Sequence, residues 1–186
     1  KNDLDLDVDF VTGVPDSGVA HAIGYSNEKK IPYKRAYIKY TPTWPRSFMP
    51  PNQETRDLIA KMKLIPITNI VNNQKIVLCD DSIVRGTQLK NKAQKLFDCG
   101  AKAIHGRPAC PPLIYPCEFL NFSRSRSSLD LAARKTIQEL ENTENISLEE
   151  YATYGTDKYI AMIENIKQKL GVTSLKYQEL EDLVSA

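Results

Sequence analysis

Long apolar runs are missing from this chain. No stretch approaches the roughly twenty residues that a helix needs to cross a bilayer, and no secretory leader pattern is present. A membrane role is not expected. An excess of one charge is missing too. Twenty-five basic residues face 23 acidic ones, and a net charge of +2 is too small to argue for nucleic acid. Histidine is scarce: His21 and His105 have no metal-spaced partner, so both are expected to be structural. The cysteines, Cys79, Cys99, Cys110 and Cys117, form no Cys-x-x-Cys pair. That favours reduced thiols in cytoplasm over a disulfide framework, with Cys79 and Cys99 acting as small hydrophobes. Neither the glycine-lysine phosphate loop nor Gly-x-Gly-x-x-Gly occurs, so the common nucleotide motifs do not compete. Repeats and low-complexity tracts are absent as well. The first residue is Lys1, and we expect a piece of a longer protein.

What is present is ordinary in amount and specific in arrangement. The 186 residues suffice for one α/β domain with an appendage, and 41% apolar content is typical of a globular protein. Strands are expected around Phe10, Tyr37, Ile65, Val77 and Ile104. Helices are expected over 20–30, 52–62, 88–98, 129–140 and 157–170. Alternation of strand and helix predicts a mainly parallel central sheet with covering helices. Residues 1–118 form the expected core, and 119–186 an extension of helices packed on it. Between 40 and 56 the chain is rich in proline and holds Trp44 and Arg46, which suits a lid or binding loop. Ser147 and Glu150 have the spacing of a capping box, and Gly100 and Gly171 are placed to end helices.

One turn organises the rest. Lys75-Ile76-Val77-Leu78-Cys79 reads as a buried strand. It runs into Asp80 and Asp81, then Ser82, Ile83, Val84, Arg85, Gly86 and Thr87, and an amphipathic helix follows. An open α/β sheet binds ligands in this place, beyond the carboxyl end of a strand and at the start of a helix. Adjacent carboxylates can bond vicinal sugar hydroxyls and attract magnesium, which one or two carboxylates hold together with substrate phosphates. Residues 82–87 can present backbone N–H groups and two hydroxyls to a phosphate. The turn therefore suits a molecule with both a diol and a phosphate, such as a ribose 5-phosphate. A capped turn without a ligand is the plainer alternative.

The wording of the turn resembles the phosphoribosyl pyrophosphate (PRPP) signature of type I phosphoribosyltransferases. Its Asp-Asp-Ser-Ile-Val-Arg-Gly-Thr form is similar to the amidophosphoribosyltransferases, the family that opens purine synthesis. Gly13-Val14-Pro15-Asp16-Ser17-Gly18 is similar to the family's pyrophosphate loop. Lys39, Arg46, Gln53 and Arg56 follow its catalytic loop, and the C-terminal segment agrees from Leu170 to Leu183.

The resemblance implies a type I phosphoribosyltransferase fold and displacement of pyrophosphate from PRPP by ammonia. It implies that Asp80 and Asp81 bind the ribose hydroxyls, that residues 82–87 cradle the 5-phosphate, and that Asp16, Ser17 and Gly18 hold pyrophosphate. Ser17, Asp80 and Asp81 would be magnesium ligands, and Lys39 and Arg46 would close over the leaving group. The full-length family protein also has a glutaminase half with an N-terminal cysteine, and a homo-oligomeric form is expected. No cysteine precedes Cys79, so glutamine hydrolysis is not expected here. Cys117 matches one ligand of an iron–sulfur cluster found in some members, but four thiolates are needed and no cluster is expected in this chain.

The lid departs from the family pattern. It reads Tyr40-Thr41-Pro42-Thr43-Trp44-Pro45-Arg46, one residue longer and without the usual first arginine. Two other functions use the same fold: a regulator that binds PRPP without turning it over, and a base-salvage phosphoribosyltransferase. The lysine and arginine of the lid argue against the first. The second needs a base-reading hood for which no residues stand out.

Overall fold

The computed structural model describes Asp3 and residues 6–39, 64–115, 130–142 and 147–185. Six strands are found there: β1 (Phe10–Gly13), β2 (Tyr37–Lys39), β3 (Leu64–Pro66), β4 (Lys75–Asp80), β5 (Ala103–Pro108) and β6 (Ser174–Leu175). The helices are α1 (Val19–Lys29), α2 (Thr68–Val71), α3 (Thr87–Asp98), α4 (Ala132–Glu141), α5 (Glu149–Ala152), α6 (Asp157–Leu170) and α7 (Leu180–Val184). The main sheet has the order β1-β4-β5-β6 and is parallel at every pairing.

The strand β4 explains why this sheet needs cover on both faces. Its Ile76, Val77 and Leu78 are all fully buried. Successive strand residues point to opposite faces. Ile76 and Leu78 join Phe10 and Ile104 in the larger core, with Leu89, Ala93 and Leu96 of α3 and Met162 and Ile166 of α6. Val77 and Cys79 join Val11 and Ala22 in a smaller core beneath α1. The continuous apolar run therefore produces a central strand between two layers.

The register aligns the carboxyl ends of β1 and β4. Phe10 pairs with Ile76 and Gly13 with Cys79. The loops that follow both strands thus emerge side by side, on the edge where the following helices begin.

Several local expectations are met. The strand at 75–80, the helix from Thr87 to Asp98 and the helix from Asp157 to Leu170 have the anticipated extents. Gly100 and Gly171 follow α3 and α6 with positive φ. The capping box at Ser147 is not formed: α5 begins from Leu148 with no side-chain cap. The cap that does form is Thr156, whose Oγ1 accepts a hydrogen bond of 3.1 Å from Tyr159 N at the start of α6.

Two strands lie where sequence periodicity could not place them. The strand β2 does not enter the main sheet but pairs antiparallel with β3, Ile38 opposite Ile65. Its position is set by Tyr37, fully buried, whose hydroxyl donates 2.5 Å to the Lys92 backbone oxygen on α3. The strand β6 extends the sheet beyond β5, with Thr173 N donating 2.8 Å to Ile104 O. The chain after residue 130 thus supplies helices packed on the sheet and also its last strand. The expected helix over 52–62 lies outside the described residues.

Candidate functional site

Side-by-side strand ends bring together residues 63 positions apart. Ser17 Oγ donates a 2.7 Å hydrogen bond to Asp80 Oδ1, joining the loop after β1 to the end of β4. The first loop is held close by its backbone. Val14 N donates 2.9 Å to Cys79 O, and Gly18 N donates 2.8 Å to Val14 O. A Cβ on Gly18 would stand 2.2 Å from Cys79 O, so only glycine allows this approach. The Pro15–Asp16 peptide is cis.

The second loop is held from behind. Ile83 is buried in the larger core and acts as its anchor. Val84 O accepts 2.8 Å from Ala132 N at the start of α4, and Arg85 pairs with Asp130 at 3.7 Å. Gly86 caps α3 with φ +79°, a left-handed conformation that other residues adopt only with strain. Residues 80–87 then line a cavity of about 510 Å³ together with Ser17, Gln88, Leu89 and Lys92. Its volume is that of an ordinary small-molecule site. The amino end of α3 opens on this cavity, where helix N–H groups favour an anion.

The two acids differ sharply. Asp80 is buried, and its side chain is only 7% exposed. Its Oδ1 also accepts 3.0 Å from Asp81 N, and its Oδ2 accepts 3.0 Å from Lys92 Nζ. Asp81 is exposed, with Oδ1 accepting 2.7 Å from Ser82 N. Beside them, Lys39 at the end of β2 forms an ion pair with Asp16. The expected residues Ser17, Asp80, Asp81, Ser82, Ile83, Val84, Arg85, Gly86 and Thr87 therefore share one cavity wall. Asp16 and Gly18 flank it through Ser17, and Lys39 reaches the same loop. Arg46 and Cys117 lie outside the described residues.

Sequence reasoning missed Lys92. The signal was available. Leu89, Ala93 and Leu96 are the buried stripe of α3, and position 92 completes the i, i+3, i+4, i+7 pattern. A lysine on that stripe has to find a buried partner, and here it finds Asp80.

Magnesium fits this donor set only in part. Among the described residues no cluster of three or more metal-ligating side chains occurs. Asp80 is already engaged on both oxygens, so Asp81 offers the more open carboxylate. The arrangement suits a magnesium ion that completes its shell from ligand oxygens and water, not a protein cage.

The thiols near the site are not activated. Burial pushes the Cys79 thiol up to about 12 and that of Cys110 to about 11. Neither is a thiolate nucleophile at neutral pH. On the opposite face, Arg107 is held by Asp3 and donates 3.1 Å to Ser174 Oγ, and His105 Nδ1 lies 2.8 Å from the same hydroxyl. Burial, then the charge of Arg107, lowers the His105 pKa. These groups tie β5 to β6 and do not reach the cavity, as the structural reading of His105 anticipated.

No family model matches the chain. Individual relatives do. An amidophosphoribosyltransferase of Methanocaldococcus jannaschii is 34% identical over 181 residues, covering 97% of this chain and 32% of the relative. Those of Archaeoglobus fulgidus and Synechococcus elongatus are 40% and 36% identical, over 73% and 89% of this chain and 29% and 32% of theirs. Among solved structures, a glutamine PRPP amidotransferase from B. subtilis, complexed with ADP and GMP, superposes with a TM-score of 0.71 at 29% identity. That match covers 97% of this chain and 33% of the other. The chain thus spans about a third of the length of the relatives it matches. Its parallel sheet with flanking helices is the phosphoribosyltransferase fold of those enzymes, and over that third of their length the chain is similar to the amidophosphoribosyltransferases.

Proposed function

We propose that this chain carries out phosphoribosyl transfer: ammonia displaces pyrophosphate from C1 of PRPP and gives 5-phosphoribosylamine, the first step of purine synthesis. The observation that carries this reading is the contact of Ser17 with Asp80, which joins the loop after β1 to the turn at the cavity. One loop is suited to a pyrophosphate and the other to a ribose 5-phosphate, and a single PRPP molecule would span both.

In this reading the N–H groups of residues 82–87, with the hydroxyls of Ser82 and Thr87, receive the 5-phosphate at the start of α3. Asp80 and Asp81 accept hydrogen bonds from the ribose hydroxyls. Asp16, Ser17 and Gly18 hold the pyrophosphate, and Lys39 and Arg46 close on it. The C1–O bond breaks with its electron pair leaving on pyrophosphate. The ammonia lone pair forms the C1–N bond, and the nitrogen then releases a proton to solvent. Positive charge builds on the ring as the pyrophosphate anion departs. The protein's task is to hold the ring, neutralise the leaving group and position ammonia, with no protein nucleophile needed. Magnesium, when bound, supplies further positive charge to the pyrophosphate; Asp81 would hold it, together with ligand oxygens and water.

The same reading implies a glutaminase domain of the same protein as the source of ammonia, a homo-oligomeric full-length form, and a place in the cytoplasm. No helix of the described residues is long and apolar enough to cross a membrane. In full-length members that carry an iron–sulfur cluster, Cys117 would be one ligand. The test is direct. The chain is incubated with PRPP, magnesium and ammonium at mildly alkaline pH, and pyrophosphate release is followed. Release dependent on ammonium is expected. PRPP binding without release would overturn the enzyme reading in favour of a PRPP-binding regulator.

A further inference from the structure

Lys92 has no part in the roles assigned above, yet it lines the cavity and touches its most buried acid. Its place is set twice. Its backbone oxygen accepts the Tyr37 hydroxyl at 2.5 Å, which pins that turn of α3 to β2. Its side chain is 15% exposed and ends 3.0 Å from Asp80 Oδ2. A lysine on an apolar stripe loses hydration, and a charged partner offsets that loss.

Counting acceptors shows what this leaves. An ionised carboxylate offers about four lone-pair directions. Asp80 Oδ1 uses two of them, on Ser17 Oγ at 2.7 Å and Asp81 N at 3.0 Å. Oδ2 uses a third on Lys92. About one direction remains for a ligand. A divalent cation on Asp80 would compete for Oδ2 and would stand beside an ammonium group of the same sign. A sugar hydroxyl needs one acceptor direction and meets no such repulsion.

We propose that Lys92 is a positioning residue of the ribose site: its ammonium group takes the cation position on Asp80, so that Asp80 accepts one ribose hydroxyl while divalent metal is held from Asp81 and the ligand's own oxygens. This rests on the reading of the cavity as a ribose-phosphate site. It makes the sugar-phosphate half of the site less dependent on divalent metal than a bare pair of acids would be.

The test uses the 186-residue chain and the variants Lys92→Met, Lys92→Arg and Lys92→Gln, each checked for folding by thermal melting. Methionine matches the length of lysine without its charge, and glutamine is the second neutral variant in case methionine disturbs the packing. Mn²⁺ alone is titrated by electron paramagnetic resonance. It should bind each folded neutral variant about tenfold more tightly than the unaltered chain or Lys92→Arg. Ribose 5-phosphate is titrated by calorimetry in the presence of a chelator. It should bind the neutral variants about tenfold more weakly, with excess Mg²⁺ restoring most of the loss. Equal Mn²⁺ affinity in the neutral variants and the unaltered chain overturns the proposal. Equal ribose 5-phosphate binding in all four proteins removes the role of Lys92 and leaves the site reading intact. Failure of the unaltered chain to bind ribose 5-phosphate under any condition removes the site reading and the proposal with it.

Discussion

A Cβ on Gly18 would stand 2.2 Å from the carbonyl oxygen of Cys79, whereas on Gly86 its nearest neighbour would be Leu170 Cδ2 at 3.5 Å. Both glycines sit in loops that serve one cavity, but for different reasons. The loop after β1 needs glycine because backbone passes directly over backbone. The loop after β4 has room for a side chain and needs glycine for its φ of +79°. The first loop is shaped from below by the strand it touches. The second is shaped from behind, by Ile83 in the core and by the bond from Ala132 N to Val84 O. A ligand site joined from two such loops can therefore fail in two ways, by losing the contact between them or by losing the curve of one of them.

The largest effect is expected at the contact. Gly18→Ala forces backbone to move and should cost about 3 kcal/mol, the upper end of the usual cost of overpacking. Thermal melting with a loss of several degrees would show it, and an unchanged melting point would mean that the loop is free to shift. Next comes the acid that joins the loops. Asp80→Asn should weaken ribose 5-phosphate binding about a hundredfold, on the order of 2.7 kcal/mol, because the Lys92 partner and the hydroxyl acceptor are lost together. Asp81→Asn leaves the buried network in place and should cost less. Calorimetry on the two variants decides between them, and the reverse ranking would contradict the reading of Asp80 as the buried acid that joins the loops.

A smaller effect separates the two halves. Lys39→Ala removes the partner of Asp16 and should weaken pyrophosphate binding about tenfold while leaving ribose 5-phosphate binding unchanged. Equal losses for both ligands would show that the loops do not divide the ligand as described. Gly86→Ala should destabilise by about 1–2 kcal/mol through its left-handed φ alone, and less than Gly18→Ala in the same melting experiment. A cost as large as that of Gly18→Ala would erase the contrast between the loops.

The smallest effect lies away from the cavity. His105 has a lowered pKa through burial, so the unfolded chain takes up its proton first. Its contribution to stability is present above about pH 6.5 and is lost as the pH falls from there through the lower folded value. Melting points measured between about pH 7 and 5, above the main carboxylate range, should fall less steeply in His105→Gln than in the unaltered chain. Parallel profiles would show that His105 is not the group being titrated.

Much of the site is legible in the amino-acid sequence. The turn at residues 80–87 carries its chemistry in consecutive residues, and local sequence reports what lies within a few positions. So do the long helices, whose stripes and end glycines are local as well. Lys92 could be read as a lysine on the apolar stripe of α3, but not that its partner would be Asp80, twelve positions away on another element. The strand β6 was not legible because two residues hold too little periodicity, and only the free edge of β5 makes them a strand. The capping box at Ser147 had the right letters, but α5 begins from Leu148 and the box is not made.

The amino-acid sequence by itself determined the buried central strand, the acidic turn after it and the helix whose amino end opens on the cavity. These depend on the order of apolar, acidic and glycine residues along a short stretch. Tertiary structure alone decided that Ser17 would meet Asp80, that β2 would leave the main sheet, and that Lys92 would supply a cation at the floor of the cavity. Those outcomes depend on which strand ends lie side by side and which helix face is buried. Both follow from long-range packing that no single segment encodes.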